Sequence, residues 1–373
     1  MLAIYRKYRP KKFEDVLGQE ALVQIIKNQA KTGNLAHAYL FYGSRGSGKT
    51  TTARLIAKIA NCQTRQTNPK FKELGEPCNN CQACTEIDNG TALDVIEIDA
   101  ASNRGIDEIR DLKEGIRLSP SSYNYKVFII DEVHQLTKEA FNALLKTLEE
   151  PPSHAILILA TTEFEKIPLT ISSRAQRFHF KKANIITITK VLKKVCEAEK
   201  IKSSEDALEL ISATADGSFR DALSLLEQIA NMKTDLSSSK TSIEAEDIER
   251  ILGRVGFLKI TELATLLIKN DVKTSLEYIN KIYEDGYNIT QFNKELIHYF
   301  RKVLALKYSP NLENDFKQIL TEQELNKIKE HSQAINENKT INLVKSLIHA
   351  YTEMRYSPFA IVPLEIAIIE NLK

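Results

Sequence analysis

Short uninterrupted apolar runs mark the first half of the chain. Ala38–Tyr42, Val127–Ile130 and Ile156–Ala160 are each four or five apolar residues long, which predicts strands buried on both faces. Asp94–Asp99 alternates more and reads as a fourth strand. Helical spacing fills the gaps. Ala53, Ile56, Ala57 and Ala60 share one face of Thr51–Ala60, and Phe141, Leu144, Leu145 and Leu148 form a stripe within Thr137–Glu150, ended by Pro151-Pro152. Strands alternating with helices predict an α/β domain with a parallel sheet covered on both faces. After Lys181 the sheet pattern stops. Ile185–Glu199, Glu205–Ala215 and Phe219–Ile229 read as helices, and the polar stretch Thr234–Ser242 reads as a linker. Beyond it, Ile260–Ile268, Leu276–Tyr283, Phe292–Leu306, Phe316–Ile328 and Ile341–Met354 are amphipathic, which predicts an all-α bundle carrying no catalytic constellation.

Length and charge narrow the classes. A chain of 373 residues holds two or three domains, and its 43% hydrophobic and 27% charged residues are an ordinary globular mixture. With 51 basic against 49 acidic residues, any nucleic-acid contact must come from a local patch. No apolar run approaches the ~18 residues a membrane span needs. The start, Met1 to Pro10, has no apolar core of the signal-peptide kind. The expectation is a cytosolic protein.

The densest chemistry lies just after the first strand. Gly43, Ser44, Arg45, Gly46, Ser47, Gly48, Lys49, Thr50 and Thr51 form a complete nucleotide-triphosphate loop between a strand and a helix. Its glycines let backbone N–H groups face phosphate oxygens, and the helix start adds positive potential. Lys49 is placed to reach the β- and γ-phosphates, and the Thr50 hydroxyl to ligate Mg²⁺. The second apolar strand ends in Asp131-Glu132, where parallel strands present ligand-binding groups. Asp131 is the candidate Mg²⁺ partner, and Glu132 the candidate for polarising the attacking water. Alone, two acids at a strand end also fit a solvated turn; the phosphate loop is what gives them a use.

Four of the five cysteines cluster as Cys62-x15-Cys78-x2-Cys81-x2-Cys84. In a reducing cytosol this spacing favours a structural zinc site over disulfides, with reactive thiols or incidental cysteines the alternatives. Four thiolates leave no open coordination position, so the site supports folding and does no chemistry. Cys196, among Val191, Leu192 and Val195, reads as a small core residue.

The motifs taken together resemble the AAA+ ATPases of clamp loaders, most closely the gamma/tau family of bacterial DNA polymerase III subunits. Tyr5–Pro10 and Val16–Glu20 precede the loop; Ile98–Gly105, Asp131–His134, Phe141–Pro152, Ser173-Arg174 and Gly217–Leu223 follow it. The four-cysteine insertion after the first helix belongs to the same pattern. The resemblance is dense over Tyr5–Gln228 and thin afterwards. One departure is Ala175, where the family commonly has cysteine.

The resemblance implies three further roles. Thr162 occupies a sensor position, orienting the lytic water, although a strand-end threonine can also bond its own backbone. Arg174 corresponds to the arginine pointed into the neighbouring subunit's ATP. Arg220 corresponds to a second sensor, reaching its own subunit's nucleotide. Residues 1–181 then form an AAA+ domain with a parallel five-stranded sheet and a zinc module at about 61–88. A helical lid follows at 182–233, and a collar that assembles subunits at 243–373, the alternative being a bundle packed only on its own chain.

The implied function is the ATPase motor subunit of the clamp loader, an enzyme within the DNA-directed DNA polymerase complex. It uses ATP, Mg²⁺ and Zn²⁺, with delta and delta-prime subunits, further copies of itself, a sliding clamp and primer–template DNA as partners. The setting is the bacterial cytoplasm at replication forks. Asn103-Arg104 is a candidate phosphate contact to DNA. Regions by which a longer form of the subunit binds the replicative helicase and the polymerase are not found before Lys373, so those tethering roles are expected to be missing or supplied elsewhere. The rival readings are a non-hydrolysing scaffold subunit like delta-prime and a translocating AAA+ DNA helicase.

Overall fold

The computed structural model describes residues 3–102, 112, 114–235, 242–245, 247–248, 257–317, 320, 322–354, 356–357 and 359–372. The chain divides into two compact units, Met1–Ala183 with Ala215–Ser224, and Asn184–Thr214 with Leu225–Lys373.

The first unit is built on five parallel strands: β1 (Ala38–Gly43), β2 (Val95–Asp99), β3 (Lys126–Asp131), β4 (Ala155–Thr161) and β5 (Gln176–Phe180), in the order β2-β3-β4-β1-β5. The inner strands are the apolar runs. β4 is buried at all seven positions, and Val127–Ile130 of β3 are fully buried. Period-2 geometry then divides each strand between two cores. Tyr39, Phe41, Val127, Ile129 and Ile158 face one side, with Ile26 and Ile56 from the covering helices; Leu40, Phe128, Ile130, Leu157 and Leu159 face the other, with Leu144 and Ile171. Each such side chain contributes about 1.5–3 kcal/mol on burial.

β5 was not legible as a strand. It reads Gln-Arg-Phe-His-Phe, with Phe178 and Phe180 buried against β1 while Gln176, Arg177 and His179 face out. An edge strand covered on one face carries this half-polar pattern. β1 lies between β4 and β5 although it precedes both in sequence. The chain therefore crosses over beside its carboxyl end, where open α/β sheets bind ligands.

Helix boundaries follow local signals. The Thr137 hydroxyl accepts from the Ala140 N–H to start the helix Lys138–Glu149, and Pro151 follows its end. In the second unit, Asn184 caps Ile185–Glu199 by accepting from the Thr187 N–H. Helix Phe219–Asp235 runs six residues past the predicted stripe and takes in Thr234 and Asp235 from the predicted linker, while Ser242 begins a two-residue strand.

The C-terminal helices are Phe257–Ile268, Val272–Glu284, Ile289–Tyr308, Glu322–Ala334, Glu337–Met354 and Ile361–Leu372. Phe292, Phe300, Leu296, Ile328, Leu347, Leu364 and Ile368 share their core. Two differences from expectation stand out. The predicted Phe316–Ile328 helix is a short turn, Glu313–Phe316, and a separate helix beginning at Glu322. Ile361–Leu372 was missed because Pro363 suggests a break; at the third position of a helix proline removes no intrahelical bond. Among the described residues, no helix is long and apolar enough to cross a membrane.

Candidate functional site

The loop after β1 is shaped by three glycines in the left-handed half of backbone space, Gly43, Gly46 and Gly48. Two are also forced by close approach. A Cβ on Gly43 would lie 2.2 Å from the Phe180 carbonyl oxygen, and one on Gly46 would lie 2.0 Å from the Ser218 Oγ. The loop thus closes onto the edge strand and onto the start of helix Phe219–Asp235. Lys49 is the first residue of helix Lys49–Asn61 and is only 6% exposed. Its ammonium donates to the carbonyls of Gly43 (2.9 Å) and Ser44 (2.8 Å). Burial pushes its pKa below the ordinary lysine range, opposed by the carboxylates of Glu132 and Asp131. The Ser44 Oγ is buried with no hydrogen-bond partner among the described residues. A cationic loop with an unsatisfied buried hydroxyl fits an anionic oxygen ligand.

Three strand ends converge beside the loop. Thr50 Oγ1 donates to Asp131 Oδ2 at 2.7 Å, so the hydroxyl and carboxylate proposed for Mg²⁺ are in direct contact. Oxygen donors of this kind suit a hard divalent cation. Glu132 adopts a left-handed backbone conformation (φ 50°, ψ 41°), costing of order 1–3 kcal/mol for a non-glycine residue. This turns its side chain toward β4, where Glu132 Oε2 accepts from the Thr162 N–H (3.2 Å) and hydroxyl (2.9 Å). Thr162 therefore binds the candidate base itself, a pairing not foreseen from sequence.

His134 also went unread beyond its place in the motif. Its side chain is 4% exposed, with Nδ1 2.9 Å from Thr161 Oγ1 and 3.4 Å from Glu132 Oε2, and Nε2 3.1 Å from Glu163 Oε1. It sits between Val133 and Gln135 just past the strand-end acids, and nothing in the spacing marked the imidazole as a strut between two strand termini.

The two arginines lie apart in their surroundings. Arg220 stacks over the Tyr5 ring, 4.9 Å from its centroid, and its Cβ is 3.4 Å from where a Gly46 Cβ would stand. It borders the loop. Arg174 bonds instead to Glu149, with Nε at 3.0 Å and Nη2 at 2.8 Å from Oε1, and to Thr170 O and Ser173 Oγ through Nη1. No contact with the loop of its own chain is found among the described residues. Asn103 and Arg104 lie outside the described residues.

Cys62, Cys78, Cys81 and Cys84 place their Sγ atoms within 4.8 Å of one another. Cys78 and Cys84 are 3.9 Å apart, close to the ~3.8 Å edge of a tetrahedron with 2.3 Å metal–sulfur bonds. Burial raises the Cys78 thiol, but a bond with the Thr64 side chain, followed by the N–H groups of Asn80 (3.4 Å) and Cys81 (3.2 Å) aimed at its Sγ, outweighs it and holds the pKa below the ordinary value. The Cys62 thiol is pushed down to about 4 by its bond with Cys84. Four converging sulfurs with backbone donors fit a closed zinc site. The module is tied inward: Cys62 directly follows helix Lys49–Asn61, buried Lys58 bonds Asn79 and Asp88, and Glu76 accepts from the N–H groups of Phe13 (2.7 Å) and Glu14 (3.1 Å).

Three family models match in order along the chain: "DNA polymerase III, delta subunit" over residues 18–184, "DNA polymerase III clamp loader subunit, ATPase lid domain" over 187–232, and "DNA polymerase III subunits gamma and tau domain III" over 243–372. The DNA polymerase III subunit gamma of Buchnera aphidicola subsp. Schizaphis graminum is 38% identical over 371 residues, covering 98% of this chain and 97% of that one. The chain belongs to the gamma/tau family of DNA polymerase III subunits. The Bacillus subtilis subunit tau is 42% identical over 368 residues, 99% of this chain and 62% of that protein; the Escherichia coli K12 subunit tau is 37% identical over 305 residues, 82% of this chain and 45% of that protein. The chain thus spans less than two thirds of either tau relative.

Membership of the gamma/tau family bears on the rivals. The first model alone carries a delta description and would suit a scaffold subunit. The lid and domain III matches carry clamp-loader and gamma/tau descriptions through residue 372. A translocating DNA helicase of the same ATPase class has no place in that succession.

Proposed function

We propose that this gamma/tau-family chain is the ATPase motor of the DNA polymerase III clamp loader. What supports it most is the joint placement of Lys49, Thr50, Asp131, Glu132 and Thr162 at the carboxyl ends of β1, β3 and β4. A scaffold has no use for that complete set.

In this reading, loop residues Gly43 to Thr51 wrap the triphosphate, and Lys49 exchanges its two carbonyl partners for β- and γ-phosphate oxygens. Thr50 and Asp131 hold Mg²⁺, which when bound neutralises charge on the phosphates. Glu132 accepts the proton of the attacking water through the carboxylate that Thr162 orients. Arg220 adds positive charge from the start of its helix. Arg174 serves the nucleotide of an adjoining subunit, where guanidinium groups of this kind raise rates about 10³–10⁵-fold. The four cysteines hold one structural Zn²⁺.

Residues 1–181 act as the AAA+ domain, 182–233 as the lid and 243–373 as the collar joining this chain to further copies and to delta and delta-prime subunits. ATP binding favours a state that opens the sliding clamp, and primer–template DNA triggers hydrolysis and release. The setting is the bacterial cytoplasm at replication forks. The test is ATP turnover by the reconstituted complex. Stimulation by primed DNA together with the clamp supports the motor reading. Absence of turnover would make the chain a scaffold, and full stimulation by DNA without clamp would make it a translocating motor.

A further inference from the structure

Arg174 sits where two helices end. Glu149 is the last residue of helix Lys138–Glu149, and Arg174 follows the short helix Leu169–Ser172 by two residues. The guanidinium has five N–H donors in a rigid plane. Nε and one Nη2 donor go to Glu149 Oε1, at 3.0 and 2.8 Å. The two Nη1 donors face Thr170 O at 2.9 Å and Ser173 Oγ at 3.2 Å.

The pattern separates the edges of the plane. The side edge, Nε with Nη2, is committed to Glu149. The end edge is formed by Nη1 and Nη2; among the described residues Nη2 has no partner besides Glu149, and the longest of the four contacts is that of Nη1 with Ser173. A phosphate arriving at the end edge could take the remaining Nη2 donor and one Nη1 donor while displacing a single Nη1 bond. The side edge would stay anchored.

We propose that Glu149 is a positioning residue for Arg174: it grips the side edge of the guanidinium so that the end edge is presented, already oriented, to phosphate oxygens of an adjoining chain. This rests on the reading of Arg174 as acting in trans. The anchor is suited to the task. Its helix is fixed to the sheet by buried Phe141, Leu144 and Leu148, and it begins six residues after Glu132. It runs back along the sheet for about 18 Å, so one rigid element joins the candidate base of a chain's own site to the arginine offered to another. The pair itself is half-exposed, 36% for Arg174 and 48% for Glu149, and such pairs contribute little to folding stability. Its value lies in pre-orienting a long side chain.

The experiment measures DNA- and clamp-stimulated ATP turnover in the reconstituted complex. Glu149→Ala is expected to lower kcat about tenfold with KM and Tm unchanged, as misorientation of a catalytic group does. Glu149→Gln keeps an acceptor oxygen on the side edge and should retain most of the rate. In an Arg174→Ala background, Glu149→Ala should add no further loss. If Arg174→Ala is strongly impaired but Glu149→Ala turns over normally or faster, the positioning role is wrong and the arginine reading stands. The role is equally excluded if Glu149→Ala costs as much without Arg174 as with it. If Arg174→Ala itself turns over normally, both fall together.

Discussion

The phosphate loop and the arginine edge are built by opposite means. Lys49 is nearly buried, and the groups around it are bound to one another: Lys49 to loop carbonyls, Thr50 to Asp131, Thr162 to Glu132. Arg174 stands on the surface, held by an exposed carboxylate and by the end of a four-residue helix. The first region is preorganised by its own fold, at the cost of a strained Glu132 backbone. The second has only local support and, among the described residues, no contact with the phosphate loop of its own chain. A site finished on one side and offered on the other is what a catalytic centre shared between neighbouring subunits requires.

The sharpest way to break this contrast is at Lys49. Lys49→Ala removes the charge from the finished half and nothing from the core, so turnover should fall by more than about 10²-fold while the circular dichroism spectrum is retained. Normal phosphate release by that variant would remove the loop from the chemistry. Arg174→Ala should be nearly as damaging, of order 10³-fold in the complex, yet leave nucleotide affinity of the isolated chain within about twofold, because its contacts are on Glu149 and not on the loop. Weakened binding by the lone chain, read by fluorescent-nucleotide titration, would place Arg174 in cis.

Thr162→Val is the intermediate case. It deletes the hydroxyl bond to Glu132 and keeps the backbone one, so kcat should fall about 10- to 100-fold with little change in nucleotide affinity. An unchanged kcat would make the 2.9 Å contact incidental. The smallest effect on chemistry should come from the cysteine module. Cys81→Ser should release the one zinc per chain proposed for this site, and lower Tm by roughly 10 °C, with ATP binding preserved. Elemental analysis showing no zinc in reduced wild-type protein would defeat the assignment.

The same contrast explains what could be read from sequence. β1, β3 and β4 are continuous apolar runs, and the loop and Asp131-Glu132 are local in sequence, so the strands and the candidate groups at their ends were visible in the sequence. β5 was not, because Gln176, Arg177 and His179 answer to solvent. The glycine spacing showed that the loop must curl, but Ser218 pressing on Gly46 and Phe180 on Gly43 are contacts across more than a hundred residues. Thr162 was placed correctly at its strand end, yet its bond to Glu132 depends on a left-handed backbone that no pattern encodes. His134 and Glu149 were hidden for a related reason: each is polar at a position that by sequence alone suits a solvated turn or helix end. The linker drawn from Thr234 began too early because Thr234 and Asp235, polar by type, continue the helix Phe219–Asp235.

The central claim, one active site divided between two chains, is tested most directly by mixing two inactive variants. Complexes containing only Lys49→Ala chains lack the loop lysine, and complexes containing only Arg174→Ala chains lack the arginine. When both chains are assembled together, some interfaces pair an intact loop with an intact Arg174 from the neighbour. The account predicts that DNA- and clamp-stimulated hydrolysis returns in the mixture, to a level set by the fraction of such interfaces. A mixture as inactive as either parent, with mixed assembly verified by mass, would contradict it.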